Sequence, residues 1–173
     1  PVWRALIMFN VGDKMTDEEY MDIALGEAKK AYELGEIPIG AVLVVGNEII
    51  AKGHNLRELE HDATAHAEMV VIKKACDKLK KWRLTGATLY VTIEPCPMCA
   101  GAIVMSRLER LVYGSPDYKA GGVESIFNIV QNQALNHQVT VTAGVKAEEC
   151  SNMMKSFFKE RRKKKKADLT ALN

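Results

Sequence analysis

The stretch "TAHAEMVVIKKACDKLKKWRLTGATLYVTIEPCPMCAGA", residues 64–102, decides the fold because it joins two predicted helices through one buried strand. Apolar residues recur at helical spacing over 65–81. Residues 87–95 are almost continuously apolar, which is typical of a strand buried on both faces. A second helix is predicted from about 97 to 107, where proline suits the first turn. A helix, a buried strand and a helix in succession indicate an α/β domain.

The segments on either side extend this alternation. Thr16 and Glu19 form a capping-box pattern at the start of a helix that ends near Gly35. "IGAVLVVGNEIIAKGHN" predicts a hairpin that turns at Gly46-Asn47. "RLVYG" and "QVTVTAG" predict two more strands, and a helix ends the chain. Between the two strands a loop is expected over 115–124, which is rich in Gly and charge, together with one further helix. The order α-β-β-α-β-α-β-α-β-α predicts a three-layer α-β-α sandwich around a central mixed five-stranded sheet.

Composition indicates one globular domain with a basic end. The 173 residues are 47% apolar and 27% charged, and no apolar run is long enough to span a bilayer, so no membrane partner is expected. Four cysteines in a chain of this length favour a reducing, cytoplasmic location over a disulfide scaffold. Residues 159–166 hold seven of the 24 basic residues and one of the 22 acids, which leaves −4 on the rest. Such a basic segment favours a nucleic-acid partner.

His66, Cys96 and Cys99 have the spacing and chemistry of a zinc site. Zinc prefers neutral imidazole and thiolate, and a catalytic site offers three such ligands and leaves one position open. Cys96 and Cys99 lie three residues apart at a helix start, so their sulfurs can share a face. The helix N-terminus favours negative charge, which stabilises thiolates. These residues therefore predict a catalytic Zn²⁺ site.

Glu68 supplies the remaining chemical group. It lies two residues from His66, so it points away from the ligand direction and can act on water that the metal activates. A carboxylate there can take a proton from water and return it to a leaving amine. His-x-Glu followed by Pro-Cys-x-x-Cys is the known signature of the zinc-dependent base deaminases.

Two other interpretations explain less of this pattern. A redox Cys-x-x-Cys pair would leave His66 and Glu68 without a role. A structural zinc would need a fourth ligand, and Cys76 falls in the middle of a predicted helix, where core packing is the more typical role.

With these motifs the sequence resembles the bacterial tRNA-specific adenosine deaminases of the cytidine deaminase-like superfamily. The resemblance runs from about residue 15 to 162 and rests on "EIPIGAVLV", "GHN", "TAHAE", "ATLYVTIEPCPMCAGAI", "VYG", "NHQV" and "SFFKERR". The middle motifs are shared with cytosine and guanine deaminases. The outer ones, above all "NHQV" and the double Phe before a basic tail, favour the tRNA branch.

The resemblance implies an activity and a set of site residues. The family converts adenosine to inosine at the wobble position, 34, of the arginine tRNA anticodon, as a homodimer with one Zn²⁺ per subunit. By position, His66, Cys96 and Cys99 would be the metal ligands and Glu68 the catalytic proton shuttle. Asn55 would contact the flipped base. The RNA contacts carried over are Asp117 and Lys119, which would meet the anticodon backbone, and Phe157, Phe158 and Arg161 in the final helix.

Two alternative functions remain open, and the chain is expected to consist of three segments. A free-base guanine or cytosine deaminase would share the zinc chemistry without needing a basic tail, and a non-catalytic zinc-containing RNA-binding subunit would be expected to lack Glu68. Residues 1–14 lack an initiator Met and are interpreted as an upstream extension or an expression remnant. Residues 15–162 are expected to form the zinc-dependent deaminase domain, and 163–173 a frayed basic tail.

Overall fold

The computed structural model describes residues 14–171, which form four helices and five strands in the described range. In chain order these are α1 (Asp17–Glu33), β1 (Gly40–Val45), β2 (Glu48–His54), α2 (Ala67–Leu79), β3 (Ala87–Ile93), α3 (Pro97–Met105), β4 (Arg110–Ser115), β5 (Thr140–Ala143) and α4 (Ala147–Ala171).

The strands form one mixed sheet in the order β2-β1-β3-β4-β5. β1 is antiparallel to both β2 and β3, whereas β3, β4 and β5 are parallel. Every strand except β1 therefore runs in the same direction, and the carboxyl ends of β2, β3 and β4 meet at one edge. Open α/β sheets place their functional sites at such an edge.

The helices cover both faces of the sheet. One core cluster packs α2 and α3 against the sheet and includes Val71, Ile103 and Leu89. A second cluster packs α1 and the start of α4 against the other face and includes Met21 and Cys150. The three-layer α-β-α sandwich with a mixed five-stranded sheet is thus confirmed.

The local signals at the start of the chain also hold. The Thr16 hydroxyl accepts the Glu19 N–H at 3.2 Å, and the Glu19 carboxylate accepts the Thr16 N–H at 2.7 Å, so the capping box is formed. β1 and β2 are joined at Gly46, whose φ of 62° lies in the left-handed region that favours glycine. The predicted hairpin is therefore confirmed.

Two features differ from the sequence-based expectations. The helix expected between β4 and β5 is wrong: residues 116–139 form turns and irregular chain. The sequence predicts a frayed tail from residue 163, but α4 continues to Ala171. This stretch is rich in Lys and contains no Gly or Pro, so it favours helix. Residues 1–13, which hold nearly all of the supposed extension, lie outside the described range, as do 172–173. Within 14–171, no helix combines the length and the apolar character needed to cross a membrane.

Candidate metal and substrate site

Two helix starts carry the predicted metal ligands. His66 is the N-cap of α2, and Cys96 is the N-cap of α3, with Pro97 in the first turn of α3. Cys99 follows one turn into α3 and is fully buried. Because β3 leads directly into α3 at the carboxyl edge, both helix N-termini meet above that edge, where their dipoles favour negative charge.

The three side chains come together with the spacing that a tetrahedral ion requires. His66 Nδ1 lies 3.5 Å from Cys96 Sγ and 3.6 Å from Cys99 Sγ, and all three ligand atoms lie within 4.8 Å of one another. Nitrogen and sulfur ligands at ordinary zinc distances and tetrahedral angles stand about 3.5–3.6 Å apart. The donor set and its geometry therefore fit Zn²⁺ with one coordination position left for water or substrate.

The pKa shifts of the two cysteines also fit a metal site. The hydrogen bond between Cys96 and Cys99 lowers the pKa of Cys96 to about 4, and the same contact raises the pKa of Cys99 above its ordinary value. The hydrogen bond to Cys96 raises the pKa of His66. The contact between the two cysteines favours the thiolate form of Cys96 and the thiol form of Cys99, since two adjacent negative charges repel. A divalent ion would let both sulfurs ionise.

Glu68 lies beside this cluster in the first turn of α2. Its side chain is buried, with 4% of the residue exposed, and hydrogen bonds with the Cys99 sulfur. Burial raises the pKa of Glu68 to about 7. A carboxyl group with such a pKa both accepts and donates protons near neutral pH. Its position beside the cluster is compatible with the proton-shuttle role, which stays a prediction.

Asn55 lines the cavity next to His66. It is 5% exposed and borders a cavity of about 70 Å³ together with His66 and Ala67. Its Nδ2 donates to the Ile37 carbonyl at 3.4 Å, and its Oδ1 accepts the Arg57 N–H at 3.2 Å. These bonds hold the amide at the cavity wall.

A buried carboxylate that the sequence did not single out supports Asn55. Glu36 is 1% exposed, and its carboxylate accepts the Leu59 N–H at 2.7 Å and the Asn55 Nδ2 at 3.5 Å. Glu36 thus ties the end of α1 to the loop that carries Asn55. Only its place inside the "EIPIGAVLV" motif could have drawn attention to it.

A larger groove of about 700 Å³ adjoins the small cavity, since both are lined by Ile37, Ile39 and Arg57. Among the residues predicted to contact RNA, the groove contains Asp117, Lys119 and Phe158, to which the structure adds Lys155, Arg162 and Arg57. Cationic and aromatic side chains on one open surface suit a nucleic-acid strand.

Phe157 and Arg161 lie on another side of α4. Phe157 is 6% exposed and meets the Tyr32 ring edge-on, with 5.4 Å between centroids. Arg161 lines a separate cavity of about 430 Å³ with Tyr32 and Phe157. The structure therefore does not bring these two residues into the groove. Helical spacing does not decide between Arg161 and Arg162, because they lie three and four residues after Phe158 and both spacings share a face.

Asp117 shapes its own loop. Its Oδ1 accepts the Lys119 N–H at 2.9 Å and the Ala120 N–H at 3.1 Å, the pattern of an Asx-turn. The Lys119 side chain is exposed beside the groove. Of this pair, Lys119 offers the charge and Asp117 holds the loop that presents it.

Glu94, which directly precedes Pro95-Cys96, anchors the same loop. Its buried carboxylate accepts backbone N–H groups from Asp117 and Val123 at 3.2 Å and from Glu124 and Ser125 at 3.1 Å, and it also bonds the Ser125 hydroxyl. Burial by itself raises the pKa of Glu94, but the hydrogen bonds from Ser125 and the backbone outweigh it and lower the pKa. The carboxylate therefore stays charged and fixes the path of the loop from Asp117 to Ser125.

Two glycines let this loop approach the ligand segment. The Gly122 N–H donates to the Pro95 carbonyl at 2.7 Å, and a Cβ at Gly122 would lie 2.8 Å from the Cys96 carbonyl carbon. A Cβ at Gly121 would lie 2.2 Å from the Glu94 carboxylate. No side chain fits at either position, so the loop packs directly on the segment that carries Cys96.

Among folds of this type, a His/Cys/Cys cluster with a buried glutamate beside it defines the hydrolytic deaminases of bases and nucleosides. Comparison with known proteins narrows the class. The sequence model of the MafB19-like deaminase family matches residues 15–162. The chain belongs to the tRNA-specific adenosine deaminase family of bacteria.

Two curated relatives and one solved structure illustrate the membership. The tRNA-specific adenosine deaminase of Bacillus subtilis is 59% identical over 87% of this chain and 94% of its own. That of Haemophilus influenzae is 48% identical over 90% of this chain and 91% of its own. A structure from a study of A-to-I editing by tRNA:A34 deaminases matches with a TM-score of 0.75 and 45% identity, covering 78% of this chain and 97% of that one.

Proposed function

We propose that this chain is a zinc-dependent enzyme that hydrolyses adenosine to inosine at the wobble position of a tRNA anticodon, with arginine tRNA as its main substrate. The proposal rests on the observation that the predicted metal site and the groove are adjacent. The His66, Cys96 and Cys99 cluster with Glu68 lies beside a small cavity, and that cavity adjoins a groove lined by cationic and aromatic side chains. Family membership supports the choice of adenosine in tRNA over a free base.

The chemistry follows from the residues around the cluster. His66, Cys96 and Cys99 would hold one Zn²⁺ per subunit, and a zinc ion in such a site acidifies water and polarises it for attack. Glu68 takes a proton from the attacking water and delivers it to the departing amino group. Adenosine and water thereby give inosine and ammonia. The buried position of Glu68 beside Cys99 keeps its carboxyl group next to the ligand cluster for both transfers.

Asn55 and the groove residues would bind different parts of the substrate. The target base must leave its stack to reach the cluster, and single-stranded loops allow this at low cost. Asn55 lines the small cavity, and because Glu36 and Ile37 engage its Nδ2, its Oδ1 is the atom that can still accept a hydrogen bond from the edge of the base. Lys119 and Arg162 along the groove offer charge to the backbone of the same loop.

The finer parts of the proposal concern assembly and location. α3 is apolar on all sides, with Met98 and Ala102 half-buried and Met105 67% exposed, and a helix of this kind is normally covered. We therefore propose a homodimer in which a second copy covers this face. The four cysteines are free, and two belong to the metal cluster, which favours the reducing cytoplasm.

A substrate panel tests the function. The zinc-loaded protein is incubated with an arginine-tRNA anticodon stem-loop, with the same stem-loop bearing guanosine at the wobble position, and with free guanine and cytosine. We expect inosine by sequencing and one ammonia per inosine from the first substrate alone. Ammonia from a free base without inosine in RNA would favour the free-base alternative. Sedimentation of the protein and of a Met105→Lys variant tests the dimer.

A further inference from the structure

α4 presents two different sides along its middle turns. Five of its residues line the groove: Ser151, Met154, Lys155, Phe158 and Arg162. Four others line the cavity against the end of α1: Phe157, Glu160, Arg161 and Lys164. The two sets follow the helical period, so the orientation of the helix is known on both sides up to residue 164.

The same helix continues past the body of the protein and remains basic on the groove side. Lys165 and Lys166 follow Arg162 by three and four residues, the spacing that places side chains on one face. Both are exposed. The two acids of this stretch, Glu160 and Asp168, lie four residues before and after Lys164, on the row that faces α1. The groove side is therefore free of acidic residues from Ser151 to Lys166.

The extension continues past the end of the groove. Four residues separate Arg162, the last groove residue of α4, from Lys166, which corresponds to about 6 Å along a helix. An RNA loop seated in the groove is attached to a paired stem, which presents its phosphates outside the loop. Proteins recognise such stems by shape and phosphate position, and exposed lysines supply the charge.

We infer that Lys165 and Lys166 form a second RNA-contact surface, which binds phosphates of the double-stranded stem adjoining the loop in the groove. This inference rests on the proposed function, since it needs RNA in the groove. It divides recognition between the groove, which holds the loop, and the extension of α4, which holds the stem.

Two double variants provide a matched test. Lys165→Ala/Lys166→Ala removes two charges from the groove side, and Lys80→Ala/Lys81→Ala removes two from exposed lysines at the end of α2 opposite His66. Alanine keeps α4 helical. Binding is measured over a salt series to two RNAs that share one anticodon loop, one with a very short stem and one with the full stem.

We expect the Lys165→Ala/Lys166→Ala protein to bind the full-stem RNA about tenfold more weakly near 0.1 M salt, with a log–log salt slope flatter by about two. Its binding to the short-stem RNA should be unchanged, and the Lys80→Ala/Lys81→Ala protein should bind both RNAs normally. Equal losses from the two pairs would mean that only total charge matters, and equal losses on the two RNAs would place the lysines at the loop. No loss would leave the lysines as solvated residues; each of these three results overturns the inference.

The proposed function is scored separately in the same experiment. Inosine formed by the unmodified protein is measured in each RNA at saturating concentration. Absence of inosine from both would contradict the deaminase assignment, even where the stem-dependent difference in binding is found. Inosine without a stem-dependent difference would contradict only the role of Lys165 and Lys166.

Discussion

At the scale of single residues, the role of Glu68 can be tested without changing the predicted metal ligands. It is buried beside Cys99 but does not belong to the ligand cluster in the described chain. We expect Glu68→Gln to keep the shape of the side chain and the bound zinc while losing proton transfer, so turnover should fall by about 10²–10⁴-fold. Single-turnover deamination and elemental analysis measure the two effects. Near-normal turnover at full zinc content would remove Glu68 from the reaction.

Glu94 should matter for stability more than its distance from the substrate suggests. Replacing it with Ala would leave four buried or half-buried N–H groups without their acceptor. We expect Glu94→Ala to lower the free energy of unfolding by about 3 kcal/mol or more, measured by denaturant titration. Glu109→Ala, which removes an exposed carboxylate, is the control. Equal stability of the two variants would contradict the anchoring role of Glu94.

At the scale of elements, one ion pair joins α1 to the sheet and makes stability depend on pH. Arg110 donates to both oxygens of Asp17, at 2.8 and 2.7 Å, and the Tyr90 hydroxyl donates at 2.9 Å. The hydrogen bond from Arg110 lowers the pKa of Asp17, with Tyr90 adding to it against burial. The folded state thus binds fewer protons, so its stabilisation is present above the unfolded pKa of about 3.9 and is lost as pH falls below it.

The prediction for this pair is a change in both level and slope. Asp17→Asn should lose about 1–2 kcal/mol at neutral pH and show a flatter decline of stability below about pH 4. Asp22→Asn on the same helix is the control, because Asp22 is exposed and pairs with Lys146 at the surface. Urea unfolding over a pH series compares them. An identical acid limb in the unmodified protein and Asp17→Asn would show that Asp17 does not carry the effect.

The two adjacent phenylalanines of α4 should separate packing from binding. Phe157 is buried against Tyr32, and Phe158 lines the groove. We expect Phe157→Ala to lose about 3 kcal/mol of stability, and Phe158→Ala to lose less than about 1 kcal/mol but to weaken stem-loop binding about tenfold. Thermal unfolding and RNA titration are measured on both. Reversed phenotypes would mean that α4 is rotated relative to the groove.

At the scale of the whole molecule, metal binding should stabilise the fold. The three ligands connect the starts of α2 and α3, so zinc would bind the native state and not the unfolded chain. Free zinc about a thousandfold above Kd should add about 4 kcal/mol. We therefore expect a chelator to lower the melting temperature of the protein and to leave that of a His66→Ala variant unchanged. A chelator-independent melting curve would argue against a bound metal.

The parts of the fold that sequence predicts are those set by neighbours in the chain. The capping box at Thr16, the turn at Gly46 and the buried run of β3 depend on residues a few positions apart. In the connection between β4 and β5, Gly and charge content predicts the loop over 115–124 but not its path. The path from Asp117 to Ser125 is set by Glu94, 23–31 residues away from these partners, and no local pattern reports such a contact.

The candidate site was likewise predicted only in part. His66, Cys96 and Cys99 form the predicted cluster because two helix starts carry them to one edge of the sheet. Of the residues predicted to contact RNA, Asp117, Lys119 and Phe158 line the groove and Phe157 and Arg161 line the cavity beside α1, and their contacts with RNA stay predictions. Apolar residues lie on both sides of α4, at Phe157 and Phe158, so the sequence alone leaves its rotation open.

The sheet order has a consequence for how the protein is made. β2, β1 and β3, together with both ligand-bearing segments, come from residues 40–99, whereas β5 must cross a long connection to reach β4, and α4 follows it. Contacts between near neighbours form before those that close long loops. On a ribosome the metal cluster should therefore assemble before the wall of the groove that α4 provides. The nascent chain would form the predicted metal-binding cluster first and complete the proposed RNA-binding groove last.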